Sequence, residues 1–142
     1  MSKRIIMFSA LVVALTTLSG CGKSKTLTCT QENSESGAPS KHEIVYKFED
    51  NKITSATQTT TITLEGDNVQ YKDVYKSSAQ QAVDDYKKDG MTAKVVEDGN
   101  KISVEVEMKP DKLSESDYVI YKMGESYESM EALLAEEGYT CK

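Results

Sequence analysis

The chain reads as an α+β protein. An antiparallel sheet of two or more hairpins packs against one long helix, and a short helix follows near the C-terminus. Three observations predict this. The segments "HEIVYKFEDNKITSATQTTTITLEG" and "MTAKVVEDGNKISVEVEM" each alternate apolar and polar residues around a turn-forming dipeptide. Between them, "DNVQYKDVYKSSAQQAVDDYKKDG" changes to a helical period. The last apolar run, "SMEALLAEEGYTCK", starts beside capping serines and meets a glycine.

The first residues, "MSKRIIMFSALVVALTTLSGCGK", come before that pattern. Lys3 and Arg4 are basic, Ile5 to Leu15 is almost wholly apolar, and small residues follow. This is the layout of a secretory signal peptide over residues 1–20. The alternative, an uncleaved anchor, needs about 20 apolar residues, and Thr16, Thr17, Ser19 and Gly20 interrupt the run. "LSGC" resembles the lipobox of bacterial lipoproteins, and the resemblance implies cleavage after Gly20 and a lipid on the Cys21 thiol. A diacylglycerol supplies the two chains that stable anchoring requires.

Removal of the leader leaves 122 of the 142 residues, enough for one domain with one core. The leader holds two of the 17 basic residues and none of the 23 acidic ones, so the mature charge is −8. That balance argues against nucleic acid as a partner. The reading places a lipidated N-terminus and tether over residues 21–28 and a single α+β domain over 29–142. Three cysteines occur: Cys21, Cys29 and Cys141. With Cys21 lipidated, two thiols remain in an exported chain, which points to a Cys29–Cys141 disulfide. The alternative is two free thiols. A bridge requires the Cα atoms to lie about 4.4–6.8 Å apart, with "TLTCT" beside "GYTCK" as neighbouring extended segments.

Residues 31–41, "QENSESGAPSK", read as a loop. In the first hairpin, Ile44, Tyr46 and Phe48 alternate with Val45, Lys47 and Glu49, and Asp50-Asn51 forms the turn. The parity of the next strand drifts from Ile53 to Ala56, Ile62 and Leu64, which calls for a bulge or a bend. The long helix is expected over Val69 to Asp89, capped by Asp67 or Asn68 and ended by Gly90. Its stripe is Tyr71, Val74, Tyr75, Ser78, Ala79, Ala82, Val83 and Tyr86. In the second hairpin, an Asp98-Gly99 turn pairs Val95 with Ile102. Tyr118 to Tyr121 is an edge strand or part of a helix. The C-terminal helix starts at Ser126 or Ser129, faces Met130, Leu133 and Leu134 inward, and stops at Gly138.

This order of lipobox, hairpin, long helix with "AQQAVDDYKKDG", acidic hairpin and a helix ending in "GYTCK" resembles the YehR-like family of small bacterial lipoproteins. The resemblance implies an α+β domain on the outer side of a membrane. It supplies no catalytic residues.

Signals for catalysis are weak. His42 is the single histidine, so a histidine-rich metal site is excluded, and no serine sits in an elbow motif. No cofactor is implied, and the chain reads as a non-enzyme and a monomer. The eight tyrosines offer a stacking surface, although Tyr71, Tyr75 and Tyr86 are needed by the core stripe. The expected role is a lipid-anchored binding or accessory protein on the extracytoplasmic face of the cell membrane. Its partners are the membrane, through the lipid on Cys21, and an envelope protein or glycan. The second reading is a small inhibitor or immunity-type lipoprotein acting on an envelope hydrolase. A pocket between helix and sheet favours the first, and a protruding acidic loop favours the second.

Overall fold

The structure, a computed structural model, describes residues 23–34 and 37–142. The leader, its cleavage point and Cys21 lie outside the described residues. Six strands form one antiparallel sheet: β1 (Ser24–Asn33), β2 (Ser40–Glu49), β3 (Lys52–Thr63), β4 (Met91–Asp98), β5 (Lys101–Met108) and β6 (Thr140–Cys141). Their spatial order is β4-β5-β3-β2-β1-β6. Helix α1 (Lys72–Asp85) packs on β4 and β5, and α3 (Tyr127–Glu136) packs on β1 and β6. The short α2 (Glu115–Ile120) lies between them in sequence. The expected α+β class and the helix-on-sheet arrangement are therefore both present.

Strand alternation decides which face is covered. Leu27, Cys29, Ile44, Tyr46, Phe48, Ala56, Val106 and Met108 point to the helical side and are buried. Their neighbours Thr28, Val45, Thr57 and Glu107 occupy the open side, which is rich in threonine. Each fully buried large side chain contributes roughly 1.5–3 kcal/mol, so the single covered face holds the core.

The first hairpin forms as its sequence dictates. Asp50 and Asn51 both take positive φ (48° and 63°), as a two-residue type I′ turn requires. Of the bulge or bend expected in β3, the structure has a bulge, just beyond the turn. Phe48 pairs with Ile53, but Lys47 pairs with Ser55, which leaves Thr54 as the extra residue. The Thr54 hydroxyl donates to the Lys47 carbonyl at 3.2 Å. That insertion carries the inward parity from Ile53 to Ala56.

The second hairpin turns one residue later than expected. Asp98 pairs with Lys101, so Gly99-Asn100 is the loop and Val95 faces Val104, not Ile102. Gly99 has φ +59° and Asn100 does not reach positive φ, the pattern of a type II′ turn. Asn100 supplies the reason. Its amide donates to the Leu64 carbonyl at 2.7 Å, and its own carbonyl accepts from the Leu64 N–H at 2.9 Å. Two hydrogen bonds to a fully buried residue outweigh the local preference of Asp-Gly. The partner changes by two positions, so each side chain keeps its face.

Three boundaries move. Residues 24–28, expected in the tether, belong to β1, which also takes 31–33 from the expected loop. β1 forms because β2 offers it a full partner, from Ser24 opposite Glu49 to Asn33 opposite Ser40. The long helix is split: a 3-10 stretch, Gly66–Tyr71, leads into α1, which ends at Asp85 and not at Asp89. No side chain caps the start of either, so Asp67 and Asn68 do not play that part. Gly90 serves the turn into β4 instead, at φ +77°. Residues 118–120 are helical and Tyr121 caps that helix at its C-terminal end, with Ser114 accepting from the Asp117 N–H at the N-cap.

At the C-terminus, α3 is capped by Ser126, which accepts from the Ser129 N–H at 3.2 Å. Gly138 adopts φ +90° and ends it. The Gly138 N–H donates to Ala135 and the Tyr139 N–H to Leu134, the paired bonds of a Schellman motif. The chain then turns straight into β6.

Candidate functional site

The Cys29–Cys141 disulfide is present, with an S–S distance of 2.02 Å. Cys29 and Cys141 stand directly opposite each other on β1 and β6. Their neighbours Thr28 and Lys142 exchange both backbone bonds, at 3.0 and 2.9 Å. The cysteines therefore occupy the non-hydrogen-bonded position, where Cα atoms approach most closely. Their Cα separation of 4.0 Å is shorter than the expected range for that reason.

The cleft lies elsewhere. Because α1 sits over β4–β5 and α3 over β1–β6, part of the central strand β3 is left without a helix above it. A cavity of about 230 Å³ opens there between α1 and the sheet. Tyr75 and Ala79 of α1, with Tyr86 just after it, form one wall. Ile62, Ile102 and Val104 form much of the floor, with Gln58 and Thr60 beside them. No charged residue lines it. The α1 stripe thus does two jobs. Val83 is buried and packs, while Tyr75, Ala79 and Tyr86 stay half-exposed along the cavity. Tyr71 and Val74, expected on the inward stripe, are 50% and 62% exposed. The shorter α1 docks only through its later turns.

A few polar groups converge on the apolar walls. The Thr60 hydroxyl and His42 Nδ1 form a 3.0 Å hydrogen bond, so His42 is tied to the cavity's edge. Gln58 makes no side-chain hydrogen bond to any described residue. At one end, Tyr86, the C-cap of α1, lies near Tyr121, the C-cap of α2. Burial, and then that neighbouring phenol, push the Tyr121 hydroxyl above its ordinary pKa. Beneath α3, burial pushes Tyr46 up to about 12, with Tyr139 and Glu137 adding to it.

Across the sheet runs a shared scaffold. A protein from Streptococcus pneumoniae TIGR4, solved by NMR, is similar over 100% of this chain and 98% of its own, with a TM-score of 0.53 and 10% identity. At that identity the likeness shows the fold alone. No family model matches the chain, and no curated protein matches it.

The acidic turn between β4 and β5 is not a free projection. Glu97 accepts from Lys76 at 2.6 Å and pairs with Lys72 at 3.3 Å. These lysines hold its carboxyl below the usual range. Lys72 also donates to the Gly99 carbonyl at 2.8 Å. Among the described residues no group of three His, Cys, Asp or Glu side chains could hold a metal ion. No described helix is long and apolar enough to cross a membrane.

The cleft residues Gln58 and Thr60 were not singled out by the sequence, whereas Ser78 was placed on the helix stripe that lines it. One signal was available: Gln58 and Thr60 share inward parity with Ala56 and Ile62. Polar side chains at core-facing strand positions mark a place where the core is left open.

Proposed function

We propose that the chain is a lipid-anchored, extracytoplasmic binding protein that takes a small apolar ligand between α1 and the sheet. The cleft carries the reading: an uncharged, mostly apolar concavity with a few convergent polar groups is the usual form of a small-molecule site. The anchor is supported by the leader, the "LSGC" motif and the cysteine arithmetic. A lipid on Cys21 would lie three positions from Ser24, about 11 Å of extended chain at most, so the domain stands close to the bilayer. In this reading the protein is a monomeric non-enzyme of the cell envelope, and it belongs with the YehR-like lipoproteins by layout. The inhibitor reading draws less support, because Lys72 and Lys76 already neutralise Glu97 at the acidic turn.

Two measurements test this. Intact mass of membrane-fractionated protein should show a chain starting at Cys21 with diacylglycerol attached, and Cys21→Ser should lose the membrane fraction. The uncharged dye N-phenyl-1-naphthylamine should gain fluorescence saturably with the wild type and not with Ala79→Trp, which fills the cavity. A soluble, unlipidated mature chain would refute the anchor. Dye uptake indifferent to Ala79→Trp would refute the cleft.

A further inference from the structure

We propose that the cleft holds the single acyl chain of a membrane lipid. Its hydrocarbon lies between α1 and β5, its ester carbonyl accepts from Gln58, and its polar end points towards Lys122 and Glu137. This rests on the binding-protein reading above and names the ligand.

The shape of the site supports one chain. A second cavity, of about 160 Å³, lies over β2 and β3 and is lined by Tyr46, Met108, Ile120 and Tyr121 among others. Gln58 borders both cavities. The two adjoin at Gln58, so they can be read as a trough in series across the sheet rather than one round chamber. Each is smaller than the ~300–1,000 Å³ typical of sites for drug-sized molecules. A thin, extended molecule fits such a pair.

Polarity rises along the trough in the order of a lipid's own parts. The first cavity has no charged lining residue. Gln58, in the middle, has an amide with no hydrogen-bond partner among the described residues, so it is free to donate to a neutral carbonyl. The second cavity is lined by Lys122 and Glu137, which pair at 3.1 Å. A chain carrying a carboxylate where Gln58 stands would meet no cation in the first cavity, whereas an ester needs none.

The helices that line the cavities carry exposed apolar side chains. Val74 on α1 is 62% exposed, and Val119 and Ile120 on α2 are 69% and 67% exposed. The two helices that flank the trough therefore both show unpartnered apolar side chains, which marks a contact surface. The source of the ligand follows from the chain's own geometry. The Lys23 carbonyl is pinned by the Asp50 N–H at 3.2 Å, only two positions after Cys21. A domain held that near a bilayer meets lipid more than any free solute.

The test uses the full lipidated protein in phosphatidylcholine vesicles containing lysophosphatidylcholine with a diazirine at the end of its acyl chain. Photolysis should label α1 between residues 75 and 86 and β5 between 102 and 106. Ala82→Phe, which narrows the cavity, should lower that labelling at least tenfold. Gln58→Leu should lower it about fivefold, the worth of one net hydrogen bond. It changes volume little, so it keeps the test open if thermal unfolding shows that Ala82→Phe is misfolded. A second arm offers a diazirine fatty-acid methyl ester in buffer without vesicles. Cleft labelling by the ester but not by the lysolipid overturns the membrane source in favour of a free acyl compound. Labelling confined to residues near Lys23, and indifferent to both substitutions, overturns the proposal while leaving the anchor intact. Protein that fails to float with vesicles overturns the anchor, and the membrane source with it.

Discussion

Val83 shows how much rests on single contacts. It is 4% exposed and is the buried residue of α1. Val83→Asp buries a carboxylate with no cation in place to meet it. The expected loss is about 3 kcal/mol or more, measured by urea unfolding. Tyr46 makes a pH prediction. Its hydroxyl ionises near 10 in the unfolded chain and at about 12 in the folded one. Between those values the unfolded state binds fewer protons, so stability falls as pH rises from about 10 to about 12. The part due to Tyr46 is up to ~3 kcal/mol, and Tyr46→Phe should remove that part of the alkaline slope. Two glycines give a controlled contrast. Gly99 (φ +59°) has open space around an added Cβ, whereas at Gly90 (φ +77°) a Cβ would come within 2.7 Å of the Leu113 nitrogen and the Lys112 carbonyl carbon. Gly99→Ala should cost about 1 kcal/mol for its backbone alone. Gly90→Ala should cost clearly more, because backbone atoms cannot step aside.

At the scale of elements, the disulfide joins the last strand to the first. Cys29 and Cys141 are 112 positions apart. In the chain-entropy model a loop near that length is worth ~4–5 kcal/mol, a large share of an ordinary domain's stability. Cys29 is fully buried, so serine there would also bury a hydroxyl. Alanine is therefore the better probe. Cys29→Ala and Cys141→Ala should lower the unfolding free energy by similar amounts, and the double variant should be no worse than either. Additive losses would contradict a shared bond. The elements also show what could be read in advance. Asp50-Asn51, the bulge implied by Ile53 and Ala56, the Ser126 cap and Gly138 are local signals, and each acts where it stands. The turn at Gly99-Asn100 was not legible, because its deciding partner, Leu64, is distant in sequence. The full extent of β1 escaped notice for a similar reason. "TLTCT" alternates correctly, with Leu27 and Cys29 inward, but its polar end at Gln31 to Asn33 is a strand only because β2 pairs with it.

The whole molecule is a six-stranded sheet with one face covered and one left open to solvent. Its class followed from periodicity, but its strand order did not. β5 lies beside β3 after a long excursion through α1 and β4, and the Thr61–Ser103 hydroxyl contact at 2.8 Å is among the interactions on the open face that join them. The cleft was illegible for the same reason. It arises from the spacing of α1 and α3 over the sheet, which no local pattern encodes. Only the inward parity of Gln58 and Thr60 hinted at it. We propose above all that this gap is a binding site on a lipid-anchored chain. Non-denaturing intact mass of the protein purified from its own envelope tests that claim most directly. The expected mass is that of a chain that starts at a diacylglycerol-bearing Cys21, lacks two hydrogens for the Cys29–Cys141 bond, and carries one non-covalent acyl compound that Ala79→Trp abolishes. A chain without the lipid, or with an empty cleft in wild type and Ala79→Trp alike, would contradict it.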